Sequence, residues 1–276
     1  MPDRGASTAW KQFWERGGWW KGVILAAAYY GLYMLGGLAI TWLAAPMLTD
    51  PTSPAFIVFA YVLPIAFGGL LLVLFALSLG WLKELFARQP IGGGKWMWIA
   101  VVLVLGFNIL RFATIDYAEA GFGKVAVWLL AGLFIGFAEE TLTRGFVVNL
   151  MRKAGHPEIA VAVVSAAVFS ALHAGNLLGG QALFTTLMQL LYTFGFGICM
   201  YLTLRVTGNL IWPILLHAST DPSIFLQTAF PADGSLTAIA SLGNLPVIVF
   251  GLIAIIFIRG RVTQNDGLKI ENPVLG

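Results

Sequence analysis

The sequence predicts an all-α integral membrane protein: about eight transmembrane helices in one bundle around a polar cavity at mid-membrane. Three observations carry this. First, of 276 residues 59% are hydrophobic and only 11% are charged, against about 25% charged in a soluble domain. Second, several apolar runs reach the roughly 20 residues that a helix needs to cross about 30 Å of hydrocarbon. They are continuous rather than alternating, so helices and not barrel strands satisfy the backbone in lipid. Third, a few ionisable residues fall inside these runs, where they must pair, neutralise or line a wet cavity.

The apolar segments run over about 22–46, 55–82, 96–113, 124–151, 158–177, 181–205, 209–229 and 235–258. Glycine- and proline-bearing breakers separate them, among them Pro51 to Pro54, Pro90 to Gly94, Ala120 to Gly123, Gly155-His156-Pro157 and Thr207-Gly208-Asn209. No linker is long enough to divide the chain. The first run is too long for the h-region of a removable signal peptide. Ahead of it, Trp10, Phe13 and Trp14 alternate with Lys11, Glu15 and Arg16, as in a short amphipathic helix lying in the interface.

Topology follows from lysine and arginine. With both termini in the cytoplasm, 13 basic residues lie inside: Arg4, Lys11, Arg16, Lys21, Lys83, Arg88, Lys95, Arg152, Lys153, Arg205, Arg259, Arg261 and Lys269. Outside are only Arg111 and Lys124. The positive-inside rule thus favours an even number of spans and cytoplasmic termini, and a bacterial cytoplasmic membrane as the location. The net charge of +3 suits anchoring at headgroups, and no basic block interleaved with aromatics points to nucleic acid. A single cysteine, Cys199, excludes an internal disulfide framework and reads as a small packing residue.

Glu139, Glu140, Asp221 and Arg144 lie inside the apolar segments. Left unpaired, they would cost about 10 kcal/mol. Glu140 and Arg144 are four apart, so they share a helix face and can form an ion pair. Glu139 is turned about 100° away and can face a cavity. Gly132 and Gly136 lie on the Glu140–Arg144 side, a spacing that admits a second helix closely. Of three histidines, His156 sits in a loop, whereas His173 and His217 fall in the fifth and seventh segments. Helical rise puts Glu139 about 17 Å, His173 about 22 Å, His217 about 12 Å and Asp221 about 18 Å from the cytoplasmic end.

Such a group fits water attack on an amide. A shielded carboxylate can act as general base. A histidine can share the proton or orient the water, and imidazole or a neutral aspartic acid can donate to an oxyanion. Cys199 and Ser219 have no histidine-linked nucleophile signature. Zinc would use Glu139, His173 and His217, but the compact His-Glu-x-x-His pattern is absent, so no cofactor is expected.

These residues resemble the CAAX-protease and bacteriocin-processing family of intramembrane proteases, within it the CAAX prenyl protease 2-like members. Glu139-Glu140-Thr141-Leu142-Thr143-Arg144 matches its Glu-Glu-x-x-x-Arg motif, and Phe169-Ser170-Ala171-Leu172-His173 its Phe-x-x-x-His motif. Gly195, Gly197, Thr207-Gly208-Asn209-Leu210 and Pro213-Ile214-Leu215-Leu216-His217 resemble its later glycine-rich and histidine-bearing stretches. The resemblance spans about 124–225. It implies that Glu139 and His173 activate water, that His217 and the residue four later help bind the oxyanion, and that Glu140, Arg144 and Phe169 support them. That later residue is Asp221, where the family has asparagine. A neutral Asp221 could still donate a hydrogen bond, an ionised one could not, and a third option is that it orients His217.

The resemblance divides the chain into an N-terminal cytoplasmic or interfacial segment (1–21), peripheral transmembrane helices (22–123), a catalytic core (124–230), and a last transmembrane helix with a cytoplasmic tail (231–276). The expected partners are the lipid bilayer and a peptide or lipidated-protein substrate. The competing reading is a non-catalytic membrane immunity or scaffold protein. Transport ranks third, because no pair of broken helices recurs in two halves.

Overall fold

The computed structural model describes residues 8–262, and the structural statements below concern those residues. Arg4, Lys269 and the rest of the expected tail beyond 262 lie outside them.

Nine main helices, with short helical turns at Ala45–Met47 and Leu82–Leu85 between them, make the fold of the described residues. They are α1 (Ala9–Glu15), α2 (Trp19–Leu43), α3 (Pro54–Leu79), α4 (Lys95–Phe112), α5 (Tyr117–Lys153), α6 (Glu158–Leu177), α7 (Leu183–Thr207), α8 (Ile211–Ala229) and α9 (Ser235–Phe257). All but α1 and α8 are long and apolar enough to cross a membrane, so the chain is a multi-pass membrane protein. Helix α8 has the length, at 19 residues, but it carries the seventh segment's His217, Asp221 and Gln227 and is correspondingly less apolar. It is packed along α5, α4 and α7.

The core is where α5, α6 and α7 meet, with Leu142, Phe146, Leu150, Phe169, Phe196 and Tyr201 almost wholly buried. Leu35, Trp42, Val102, Phe184 and Leu252 are exposed on the periphery. That distribution suits a bundle whose solvent is hydrocarbon. In α1, Trp14 turns inward against Phe75, and the half-exposed Trp10 stands edge-on to the same ring at 6.1 Å and donates to Ser78 Oγ at 3.2 Å, so the amphipathic helix is docked on the bundle by two rings.

One sequence breaker, at Gly121, acts inside a helix rather than between two, and a proline interrupts a second helix. Gly121 adopts φ +72°, a left-handed conformation that kinks the first turns of α5. Pro222 lies inside α8 and offers no N–H to the carbonyl of Ala218. Gly132 of α5 lies against that carbonyl, and Gly136 against the carbonyl of Ile214. The glycine pair therefore seats α8 on α5 with the backbones touching, which brings His217 to the glutamates.

The loops gather at two ends. At one end, the carboxylate of Glu158 accepts Nε and Nη2 of Arg152 at 2.9 and 2.7 Å, Nη1 of Arg205 at 3.1 Å, and the Tyr201 hydroxyl. Arg205 also donates to the Gly92 carbonyl, Arg152 to Gln89 Oε1 at 2.6 Å, and the Glu158 N–H to the Gly260 carbonyl at 2.9 Å. One buried cluster thus ties the ends of α5, α6 and α7 to the loop between α3 and α4 and to the segment after α9. Beside it, Lys153 pairs with Glu15 and Glu84 at 2.6 and 2.7 Å. At the other end, Asp116 and Ala232 exchange backbone bonds with Phe230 and Thr114. Lys124 there sits over the Phe230 ring at 4.5 Å.

Candidate active site

Helix α5 does not stay α-helical through the motif. Its α-helical part ends at Glu140, and Thr141–Val147 form a π-helical turn. Such widened turns recur at functional sites. Arg144 is in this turn and still reaches back to Glu140, with Nη1 to Oε1 at 3.1 Å and both side chains fully buried. Its Nη1 also donates to Thr143 Oγ1, and its Nη2 donates to the Gly197 carbonyl at 2.8 Å. The guanidinium lies over the Phe169 ring at 4.7 Å. One arginine thus joins the motifs on α5, α6 and α7.

Glu140 is shared. Its Oε1 is also 2.8 Å from Nδ1 of His217. With Glu140 ionised beside Arg144, Nδ1 carries the hydrogen and donates it. The other ring nitrogen, Nε2, stands 3.6 Å from Glu139 Oε2 and 3.8 Å from Asp221 Oδ2. Glu139 and Asp221 are 21% and 25% exposed, whereas His217 is 2%. Oε2 of Glu139 is nevertheless buried and makes no hydrogen bond. Four of the residues singled out in the sequence therefore meet at one point.

His173 arrives differently. The α-helical part of α6 stops at Leu172, and His173 opens a 3-10 turn through Leu177, so the histidine sits at a change of helix type rather than within regular helix. Its Nδ1 donates to the Phe169 carbonyl, one turn back, at 3.0 Å, which leaves Nε2 as the basic nitrogen. Phe169 stands between the two histidines, edge-on to His173 at 4.9 Å and to His217 at 5.6 Å between ring centres. Phe196 closes the other side of His217 at 4.9 Å.

Nδ1 of His217 is thus occupied by Glu140, and Asp221 stands on the Nε2 side of the ring. Among the described residues, no three histidine, cysteine, aspartate or glutamate side chains are grouped to hold a metal ion; Glu139, His173 and His217 do not form such a group. Cys199 is buried in the core, and His156 caps the loop after α5, its N–H on the Met151 carbonyl at 3.2 Å.

Sequence reasoning missed three contributors. Asn108 of α4 is buried and donates to Ser219 Oγ at 2.9 Å and Thr220 Oγ1 at 2.8 Å. Those hydroxyls in turn donate to the Leu216 carbonyl, so the turn of α8 bearing His217 is held from a second helix. The signal was a lone asparagine in an apolar run. The others are Tyr29 and Tyr33 of α2, mid-helix tyrosines far from the interfacial belts where that residue collects; their rings stack at 6.1 Å, and the Tyr29 hydroxyl lies over Gly68, whose neighbour Gly69 meets Phe137 of α5.

Residues 121–222 match a protein-family model described as type II CAAX prenyl endopeptidase Rce1-like. The matched range holds Glu139, Glu140, Arg144, Phe169, His173, His217 and Asp221. Neither the curated proteins nor the solved structures include a match to the chain.

Proposed function

With an Rce1-like domain over residues 121–222 as the premise, we propose that the chain is a membrane-embedded endopeptidase. It hydrolyses a peptide bond of a membrane-associated or lipidated peptide, with Glu139 and His173 activating the water. The observation that carries the reading is the Glu139 carboxylate held inside the bundle beside His217 and Asp221, in a segment matched to an endopeptidase family.

The chemistry runs as follows. Water gives a proton to Glu139 while its oxygen bonds to the carbonyl carbon. The carbon–nitrogen bond then breaks, and the departing amine takes the proton back from Glu139. His173, with Nε2 basic, aligns the water. His217, with Glu140 as counter-ion on Nδ1, donates from Nε2 to the oxyanion. Charge counting assigns Asp221 its role. Glu139, Glu140 and Asp221 against Arg144 and a protonated His217 leave one negative charge in excess. A single proton on Asp221 cancels that charge and supplies the donor that asparagine supplies in the family. No step requires a metal.

The test is cleavage by the purified full chain in detergent micelles. The probe is a fluorogenic peptide with a farnesylated cysteine fourth from its carboxyl end, run beside the same peptide without lipid. Glu139→Gln and His173→Ala are expected to lose about 10²–10⁴-fold in rate with the fold intact. Wild-type turnover by folded Glu139→Gln would refute the role of Glu139, and no cleavage of either peptide by folded wild type would favour a non-catalytic binding protein.

A further inference from the structure

Tyr29 lies in the middle of α2 and is 6% exposed. Its hydroxyl makes no hydrogen bond. The ring stacks on Tyr33 at 6.1 Å and 12°, so its direction is fixed. The hydroxyl lies over Gly68 of α3, where a Cβ would come within 2.6 Å of it, so only glycine leaves that space. Depth matches the site. Gly22 of α2 lies against Val147 of α5. From that contact Tyr29 is seven residues along α2, about 10 Å, and Glu139 eight residues back along α5, somewhat under about 12 Å because the widened turn rises less per residue than α-helix. Gly69, the next residue of α3, lies against the Phe137 ring of α5, two residues before Glu139, whose Oε2 is likewise buried without a partner. Buried polar atoms are nearly always hydrogen-bonded. Two orphans at one depth, from two helices, point to a third group that satisfies both.

We propose that Tyr29 is a positioning residue whose hydroxyl donates a hydrogen bond to the water that Glu139 activates. The proposal rests on the reading of Glu139 given above. The water gives one hydrogen to Glu139 and the other to Nε2 of His173. It accepts the tyrosine hydroxyl on one lone pair and attacks with the second. Tyr29 makes no covalent bond and keeps its proton. If the ring only packs, phenylalanine serves equally.

The experiment compares wild type, Tyr29→Phe and Glu139→Gln, each as the full chain in micelles, on the farnesylated fluorogenic peptide. Tyr29→Phe is expected to lower kcat about 10–100-fold and to leave KM within about two-fold. Its thermal midpoint should stay close to the wild type's, because no protein group bonds the deleted hydroxyl. Wild-type kcat in Tyr29→Phe overturns the proposal. So does a lowered midpoint with kcat and KM both changed, which assigns a structural role. Active Glu139→Gln instead removes the functional reading itself, whereas inactive Glu139→Gln beside fully active Tyr29→Phe sinks only the role of Tyr29.

Discussion

Replacing Glu158 by alanine is expected to cost far more stability than replacing either arginine it binds. The carboxylate has no exposure and takes two bonds from Arg152, one from Arg205 and one from Tyr201. Its removal leaves two guanidinium groups, each about 5% exposed, with no counter-ion. Breaking one buried pair costs about 3–5 kcal/mol, and here two cations are stranded at once, so the loss should reach at least the top of that range. Arg205→Met is different. Glu158 keeps both bonds from Arg152 and stays neutralised, so the loss is one charge-assisted bond plus carbonyl contacts, about 1.5–3 kcal/mol. Against a total stability of about 5–15 kcal/mol, the difference is readily measured by unfolding the purified chain in mixed micelles with increasing dodecyl sulfate. Equal losses for Glu158→Ala and Arg205→Met would refute the idea that one carboxylate holds this end together. The consequence reaches function because Glu158 begins the helix that carries His173.

Three further outcomes follow from the geometry. Asp221→Asn should preserve cleavage of the farnesylated peptide, since the amide donates as a neutral acid does; loss of activity with an intact fold would assign the carboxylate a charged role. Gly136→Ala should cost about 1–3 kcal/mol by overpacking and lower kcat with it, because the new Cβ would stand 2.5 Å from the Ile214 carbonyl and 2.8 Å from the Ala218 nitrogen, either side of His217; unchanged stability and rate would contradict the close approach. Glu15, outside the membrane, is pushed up by burial, but hydrogen bonds from Lys153 and Trp81 outweigh this and hold it below its ordinary 4.5. Its contribution to docking α1 should therefore persist from neutral pH to about 4.5 and fade as pH drops through the depressed value, measured by proteolysis of α1, with Glu15→Gln removing the dependence.

Much of the site was legible because it is local. Glu140 and Arg144 are one turn apart, and the glycine pair beside them announced a close helix; both features survive in the fold, with α8 as the helix that approaches. The motif order placed the two histidines on separate helices. What was not legible depended on partners far along the chain. Glu158 reads locally as an acidic residue opening a helix, a favourable position in itself, and nothing nearby says that it reaches Arg205. The π turn after Glu140 leaves no mark in the apolar pattern. His173 looked like a residue of regular helix, since the change to a 3-10 turn is set by how α6 ends against α7. The double duty of Glu140 was hidden for the same reason: spacing revealed Arg144 but not His217.

The glutamate pair within an apolar helix, the long membrane segments and the concentration of basic residues in alternate loops are settled by the sequence itself. They follow from transfer free energies, which each segment contributes whatever its neighbours do. Which buried charge meets which partner is decided only in three dimensions. Pairing inside hydrocarbon depends on distances of 3–4 Å between side chains on different helices, and those distances are fixed by close packing, the glycine contacts and the widened turn together.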